Sequence, residues 1–152
     1  MEKLVRRLRR DNPGLVFTVG AAHCWSPKRQ EIFYTPGEEM AHLAGLLHEV
    51  GHARLGHQLF TSDVDLLQKE VDAWEEALRL GRQYDIEISQ SHVQDCLDSY
   101  RDWLFQRSRC PRCQASGIQM APQRYQCVNC GTAWGVGNSQ QRRPYRLQAI
   151  KK

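Results

Sequence analysis

Two groups of residues stand at spacings that can do chemistry. The first is His48-Glu49-Val50-Gly51-His52. On a helix, histidines four apart project from one face, one turn above the other. Both imidazoles then reach a single zinc ion at about 2.0–2.1 Å. Glu49 falls on the neighbouring flank, where it can touch a water at the metal without being a ligand. The second group is Cys110-Pro111-Arg112-Cys113 with Cys127-Val128-Asn129-Cys130. Two CxxC pairs thirteen residues apart have the spacing of a four-cysteine zinc ribbon. Each pair sits on a tight turn whose backbone N–H groups can bond to sulfur. Four thiolates leave no open position on the metal, so this second zinc is expected to be structural. A segment of roughly 40 residues needs such a staple, because it buries too little apolar surface by itself.

A catalytic zinc needs a third protein ligand and an open position for water. His57 follows His52 by five residues, where the helix should be ending. The pattern is not HExxHxxGxxH, since Leu55 takes the glycine position and Gln58 the last histidine position. Glu70 is the better candidate. A helix returning after a short loop would carry its first or second turn past the histidines. Ala73 and Ala77 are small and four apart, which permits close packing against the histidine helix. Asp72, Glu75 and Glu76 are further acidic candidates, and a solvated helix face is the ordinary fate of such residues.

The elements that must position these groups can be read from periodicity. Residues 2–11 form a short basic helix with Leu4, Val5 and Leu8 on one side, ended before Pro13-Gly14. Residues 15–34 read as β structure, a hairpin with its turn near Ser26-Pro27. Three helices are expected next. The first carries the HExxH motif; Thr35 caps it, Pro36 opens it, Glu38 completes a capping box, and it ends near Leu55 or Gly56. The second runs from Ser62 or Asp63 to about Gln83 and buries Leu67, Val71, Trp74 and Leu78. The third starts near Ser91, boxed by Gln94, and ends near Arg107, with a stripe of Val93, Cys96, Leu97, Tyr100 and Leu104. Cys24 and Cys96 lie in apolar contexts and are expected as buried free thiols.

LLHEVGHARLGH, followed after a short spacer by EVDAWEEAL, resembles the ImmA/IrrE-type metallopeptidases and, more broadly, the small gluzincins. The resemblance covers about residues 15–105 in layout, with specific motifs on two helices only. It implies an α+β fold: a small gluzincin-like catalytic domain over 1–108, built from a β-hairpin or small sheet, the HExxH helix and two further helices. The zinc ribbon and a basic tail fill 109–152. It implies His48, His52 and Glu70 as ligands of a catalytic zinc, Glu49 as general base, and Ala73 and Ala77 as the small residues that follow the glutamate. Gly56-His57 also resembles these enzymes. Trp74 stands where many relatives have an Asn or Asp that orients a histidine ligand; Asp72, His57 or a backbone carbonyl is left to do this.

The chemistry expected is zinc-assisted hydrolysis of a peptide bond, with Glu49 moving the proton from water to the leaving nitrogen. The strand around Ile32 to Tyr34 could take a peptide substrate as an added strand, or be an ordinary sheet member. His92, Tyr84, Tyr100 and His23 are candidates for an oxyanion donor.

Composition sets the bounds. The chain has 152 residues, 41% of them hydrophobic, which suffices for a core and excludes a disordered chain. No apolar run approaches the roughly 20 residues of a membrane span. The charged N-terminus is followed by no apolar stretch, so a cytoplasmic location is expected, with cysteines reduced or metal-bound. The net charge of +4 divides unevenly: +4 over residues 1–10, −8 over 11–108 and +8 over 109–152. Arg109, Arg112, Arg124, Arg142, Arg143, Arg146, Lys151 and Lys152, with Trp134 and Tyr145 interleaved, make a module that can contact nucleic acid or a protein partner. The leading expectation is a peptidase acting on a regulatory or DNA-associated protein. Alternatives are a SprT-like protease, which joins HExxH to a zinc ribbon but takes a third histidine, and a non-catalytic regulator that retains the fold.

Overall fold

A computed structural model describes residues 1–137 and a strand at 146–148; of the basic tail, Arg142, Arg143, Tyr145, Lys151 and Lys152 lie outside the described residues. The described residues form a mixed α+β chain of four helices and two small sheets. They fall into two compact units, one of 1–59 with 68–94, the other of 60–67 with 95–152.

The first unit opens with α1 (Glu2–Asp11), which buries Leu4, Val5 and Leu8 as its spacing predicts. Three strands follow: β1 (Val16–Val19), β2 (Cys24–Ser26) and β3 (Glu31–Tyr34), in the sheet order β1-β3-β2. The expected hairpin is β2–β3, antiparallel, pairing Trp25 with Ile32. β1 is not part of it. It runs parallel to β3, with Phe17 opposite Ile32 and Val19 opposite Tyr34. Phe17, Ile32 and Tyr34 are buried. Because β3 is paired on both sides, Ile32 to Tyr34 cannot accept a peptide as an added strand. The edges are β1 and β2.

The motif helix α2 spans Met40–Arg54 and packs on β2 and β3. It starts later than Thr35 implies: residue 39 caps it without a side-chain bond, and the Thr35 hydroxyl donates instead to the Gly20 carbonyl at 3.4 Å. A tertiary acceptor has displaced the local cap. α3 (Asp63–Tyr84) starts where expected, with Ser62 Oγ accepting from the Asp65 amide at 3.1 Å. Its buried stripe runs through Leu66, Glu70, Ala73, Trp74, Ala77 and Leu80, whereas Leu67, Val71 and Leu78 are only half-buried. α4 (Gln90–Ser108) is capped by Ser89, whose hydroxyl accepts from the His92 amide at 3.2 Å, and not by Ser91. On α4, Val93 and Leu97 are buried, while Cys96, Tyr100 and Leu104 are half-buried. Cys24 is exposed, contrary to its apolar neighbourhood in sequence.

In the second unit, β4 (Gly117–Ala121), β5 (Arg124–Cys127), β6 (Ala133–Val136) and β7 (Arg146–Gln148) form a sheet in that order. Its core is Cys110, Tyr125, Cys127, Trp134 and Val136. The Trp134 indole donates to the Arg107 carbonyl at 3.1 Å and stacks on Tyr125 at 5.6 Å. No helix among the described residues is long and apolar enough to cross a membrane.

Candidate metal centre

α2 and α3 pass unusually close where Gly51 meets Ala73. A Cβ added to Gly51 would lie 2.6 Å from the Ala73 carbonyl oxygen, inside any van der Waals contact. Glycine inside the HExxH motif therefore lets the two backbones touch. Glu70, one turn before Ala73, is carried onto the histidine face. The Nε2 of His48 lies 3.1 Å from Glu70 Oε2 and 3.1 Å from the Nε2 of His52. The Nε2 of His52 is 3.6 Å from Glu70 Oε1. His48 and Glu70 are buried, 6% and 5% exposed. Two imidazole lone pairs and a carboxylate converging in a buried space repel one another unless a proton or a cation sits among them. One ligand atom from each residue lies within 4.8 Å of the others, so this group can hold a metal ion. Burial opposes ionisation of Glu70, but its hydrogen bond with His48 and the nearby His52 outweigh it and hold the carboxyl at about 2.

The surroundings of the group come from both strands and helices. Glu49 points to the flank, where burial pushes its carboxyl up and the Trp25 backbone N–H donates to it. Partial burial, and then the charge of Glu49, push up the thiol of Cys24 on the same edge strand. His23 packs on Gly45, one turn before Glu49, and beside His42 at 5.8 Å. Both His23 ring nitrogens are buried without a hydrogen-bond partner. Burial lowers the His23 pKa. Trp74 stacks on His48, ring centroids 4.3 Å apart. The Nδ1 of His48 is buried with no hydrogen-bond partner. His52 differs: its Nδ1 lies 2.8 Å from the Nδ1 of His57.

The remaining candidates do other work. Asp72 accepts from Gln68 at 2.8 Å, Glu75 is exposed, and Glu76 pairs with Arg79 at 2.5 Å and Arg54 at 3.5 Å. The Tyr84 hydroxyl donates to Asp11 at 2.9 Å. His92 meets Trp74 edge-on at 5.6 Å. Tyr100 belongs to the other unit. Trp25 and Trp74 are contributions that sequence reasoning missed as site residues; only the position of Trp74 in the EVDAWEEAL stretch hinted at its place.

The four ribbon cysteines also converge and can hold a metal ion. Sγ of Cys110 lies 3.6 Å from that of Cys130, and Sγ of Cys113 lies 3.5 Å from that of Cys127. The two turns repeat one construction. Residues Gln114 and Gly131, at φ 62° and 70°, turn the chain, and their amides donate to the Cys110 and Cys127 carbonyls at 3.0 and 3.1 Å. The amides of Arg112 and Cys130 donate to Cys110 and Cys127 sulfur at 3.4 and 3.5 Å. Hydrogen bonding to Thr132 holds the Cys130 thiol down to about 6, which favours the thiolate a metal needs.

No protein-family profile, curated protein or solved structure matches the chain.

Proposed function

We propose that the chain is a zinc-dependent metallopeptidase of the small gluzincin type, similar in its site to the ImmA/IrrE enzymes, with a structural zinc in its ribbon. The observation that carries the reading is the His48–His52–Glu70 triangle with Glu49 on its flank. Ligands at about 2.0–2.1 Å from a tetrahedral zinc stand roughly 3.3 Å apart. Here the two histidine nitrogens stand 3.1 Å apart, with Glu70 Oε2 at 3.1 Å from His48 and Glu70 Oε1 at 3.6 Å from His52. Thiolates at about 2.3 Å would stand roughly 3.8 Å apart, and the ribbon pairs are at 3.5 and 3.6 Å. Three protein ligands leave one position for water, and four cysteines leave none.

Zinc, when bound, supplies a water acidified toward about pKa 7 and a Lewis acid for a carbonyl oxygen. Glu49 takes the proton of the attacking water on its carboxylate and passes it to the leaving amide nitrogen. A carboxyl raised by burial suits both halves of that transfer. The Trp25 amide holds the Glu49 carboxylate in place. β2 is the edge strand beside Glu49, the side of the sheet along which an extended peptide would lie. Glu70 stands with His48 and His52, which favours the glutamate ligand over the third histidine, further downstream, of SprT-like proteases. The resemblance to ImmA/IrrE enzymes supports a regulatory or DNA-associated protein as substrate, with the basic ribbon as a nucleic-acid contact.

The test compares wild type with Glu49→Gln. Both should hold two zinc ions per chain and bind a peptide hydroxamate. Hydrolysis of unfolded casein should fall by about 100-fold or more in the variant. Equal hydrolysis by the two proteins would remove Glu49 as the base. A wild type that holds both ions yet neither cleaves nor binds the hydroxamate would leave the regulator reading in its place.

A further inference from the structure

The two histidines of the triangle are held differently, and the difference is built into the end of α2. Gly56 adopts φ +65°, a left-handed conformation that glycine takes without a Cβ clash. The Gly56 amide donates to Ala53 at 3.1 Å and the His57 amide to His52 at 3.0 Å. This pair of bonds is a Schellman turn, and it folds His57 back over the last turn of the helix. The Trp25 indole N–H donates to the His57 carbonyl at 3.0 Å and ties the turn to the edge strand β2. The result is the T-shaped contact of His52 and His57, centroids 5.0 Å apart, with the two Nδ1 atoms at 2.8 Å.

A single proton can lie between those nitrogens. If it belongs to His57, His52 must carry its own proton on Nε2, pointing into the ligand triangle. If it belongs to His52, Nε2 is bare and free to bind a metal, and His57 accepts with its own proton on the far nitrogen. We infer that His57 is a positioning residue: it accepts the Nδ1–H of His52, fixes the metal-binding tautomer and holds the ring in line. His57 is neutral in this role, so it orients the ligand with less added negative charge than the carboxylate acceptors common in such sites. His48 has no counterpart. Its Nδ1 lacks an acceptor, and the ring is held by the stacked face of Trp74. This inference rests on the reading that His48, His52 and Glu70 hold a metal ion.

The experiment uses the full chain, stripped of metal and titrated with Co2+, whose thiolate and nitrogen–oxygen sites differ in absorption. His57→Phe keeps the ring and removes the acceptor; His57→Ala removes both. His57→Asn puts an amide oxygen close to where Nδ1 stands. The Phe and Ala variants should bind Co2+ at the histidine site about 10- to 100-fold more weakly than wild type, with the Asn variant close to wild type. The thiolate band should be the same in all four proteins. Wild-type affinity in the Phe and Ala variants would overturn the inference. Equal weakening of all three variants would also overturn it, because packing alone would then explain the loss. A wild type that shows only the thiolate band would instead overturn the metal reading, already in the first titration and before any variant is compared.

Discussion

At the residue scale, the decisive choice is among four acidic side chains within seven residues. Only Glu70 faces the histidines; Asp72, Glu75 and Glu76 are engaged elsewhere or exposed. Glu70→Ala should therefore abolish metal binding at the histidine site while the ribbon keeps its ion, read as a drop from two equivalents to one by metal analysis. Glu76→Ala serves as the control and should keep both. A Glu70→Ala protein with two equivalents would show that the ligand is another group. The histidines themselves are legible in sequence because residues four apart on a helix must share a face. Glu70 lies 22 residues from His48, and its partner depends on where a second helix crosses the first.

At the scale of the elements, that crossing is set by contacts too small to appear in a hydrophobic pattern. The α3 stripe predicted from large residues is rotated toward Glu70, Ala73 and Ala77, because small side chains allow the closest approach and large ones do not. Gly51→Ala tests this. On an exposed helix the change would stabilise by up to about 1 kcal/mol through helix propensity. Here the new Cβ meets backbone at 2.6 Å, which cannot yield as a flexible side chain would. Overpacking of about 1–3 kcal/mol should dominate, lowering Tm and weakening metal binding together. A higher Tm with metal affinity intact would show that the helices are not in contact at Gly51. Gly56→Ala should cost about 1–2 kcal/mol through its left-handed φ, measurable by urea unfolding. It should also loosen the His52–His57 pair.

At the scale of the whole molecule, each unit is discontinuous in sequence, and residues 60–67 belong with 95–152. The physical reason lies in Asp63. It accepts from the Tyr125 hydroxyl, its amide donates to Gln119 at 2.9 Å, and it pairs with Arg107 at 3.7 Å. Arg107 is 1% exposed and lies over the Trp103 ring at 4.4 Å. Asp63→Ala would leave that guanidinium buried without its counter-charge. The expected cost is about 3–5 kcal/mol, seen as a shifted denaturation midpoint; a change under about 1 kcal/mol would mean that Arg107 is satisfied without Asp63. Cys127→Ser should cost the ribbon its ion and its packing together, since metal and core share Cys127. Loss of the near-ultraviolet signal of the stacked Tyr125–Trp134 pair would report it.

What the sequence by itself determined is what short covalent spacing dictates: two histidines and a glutamate on one turn of helix, two cysteine turns, and the start of α3 at Ser62. Those features need no knowledge of distant parts of the chain. What only the tertiary structure decided is how strands, helices and the turn that closes α2 bring side chains together. It pairs β1 parallel to β3 and so closes Ile32 to Tyr34 to a peptide. It turns the Thr35 hydroxyl away from the helix and toward Gly20. It carries Glu70, the acid the sequence already favoured, onto His48, sets Trp74 on the same ring and places His57 at His52. The first two of these site contacts depend on how closely α2 and α3 pack, which Gly51 and Ala73 set through the absence or smallness of a side chain. The third is made by the Schellman turn that closes α2. Periodicity registers the side chains that are present, and it has no signal for the space that a missing Cβ leaves.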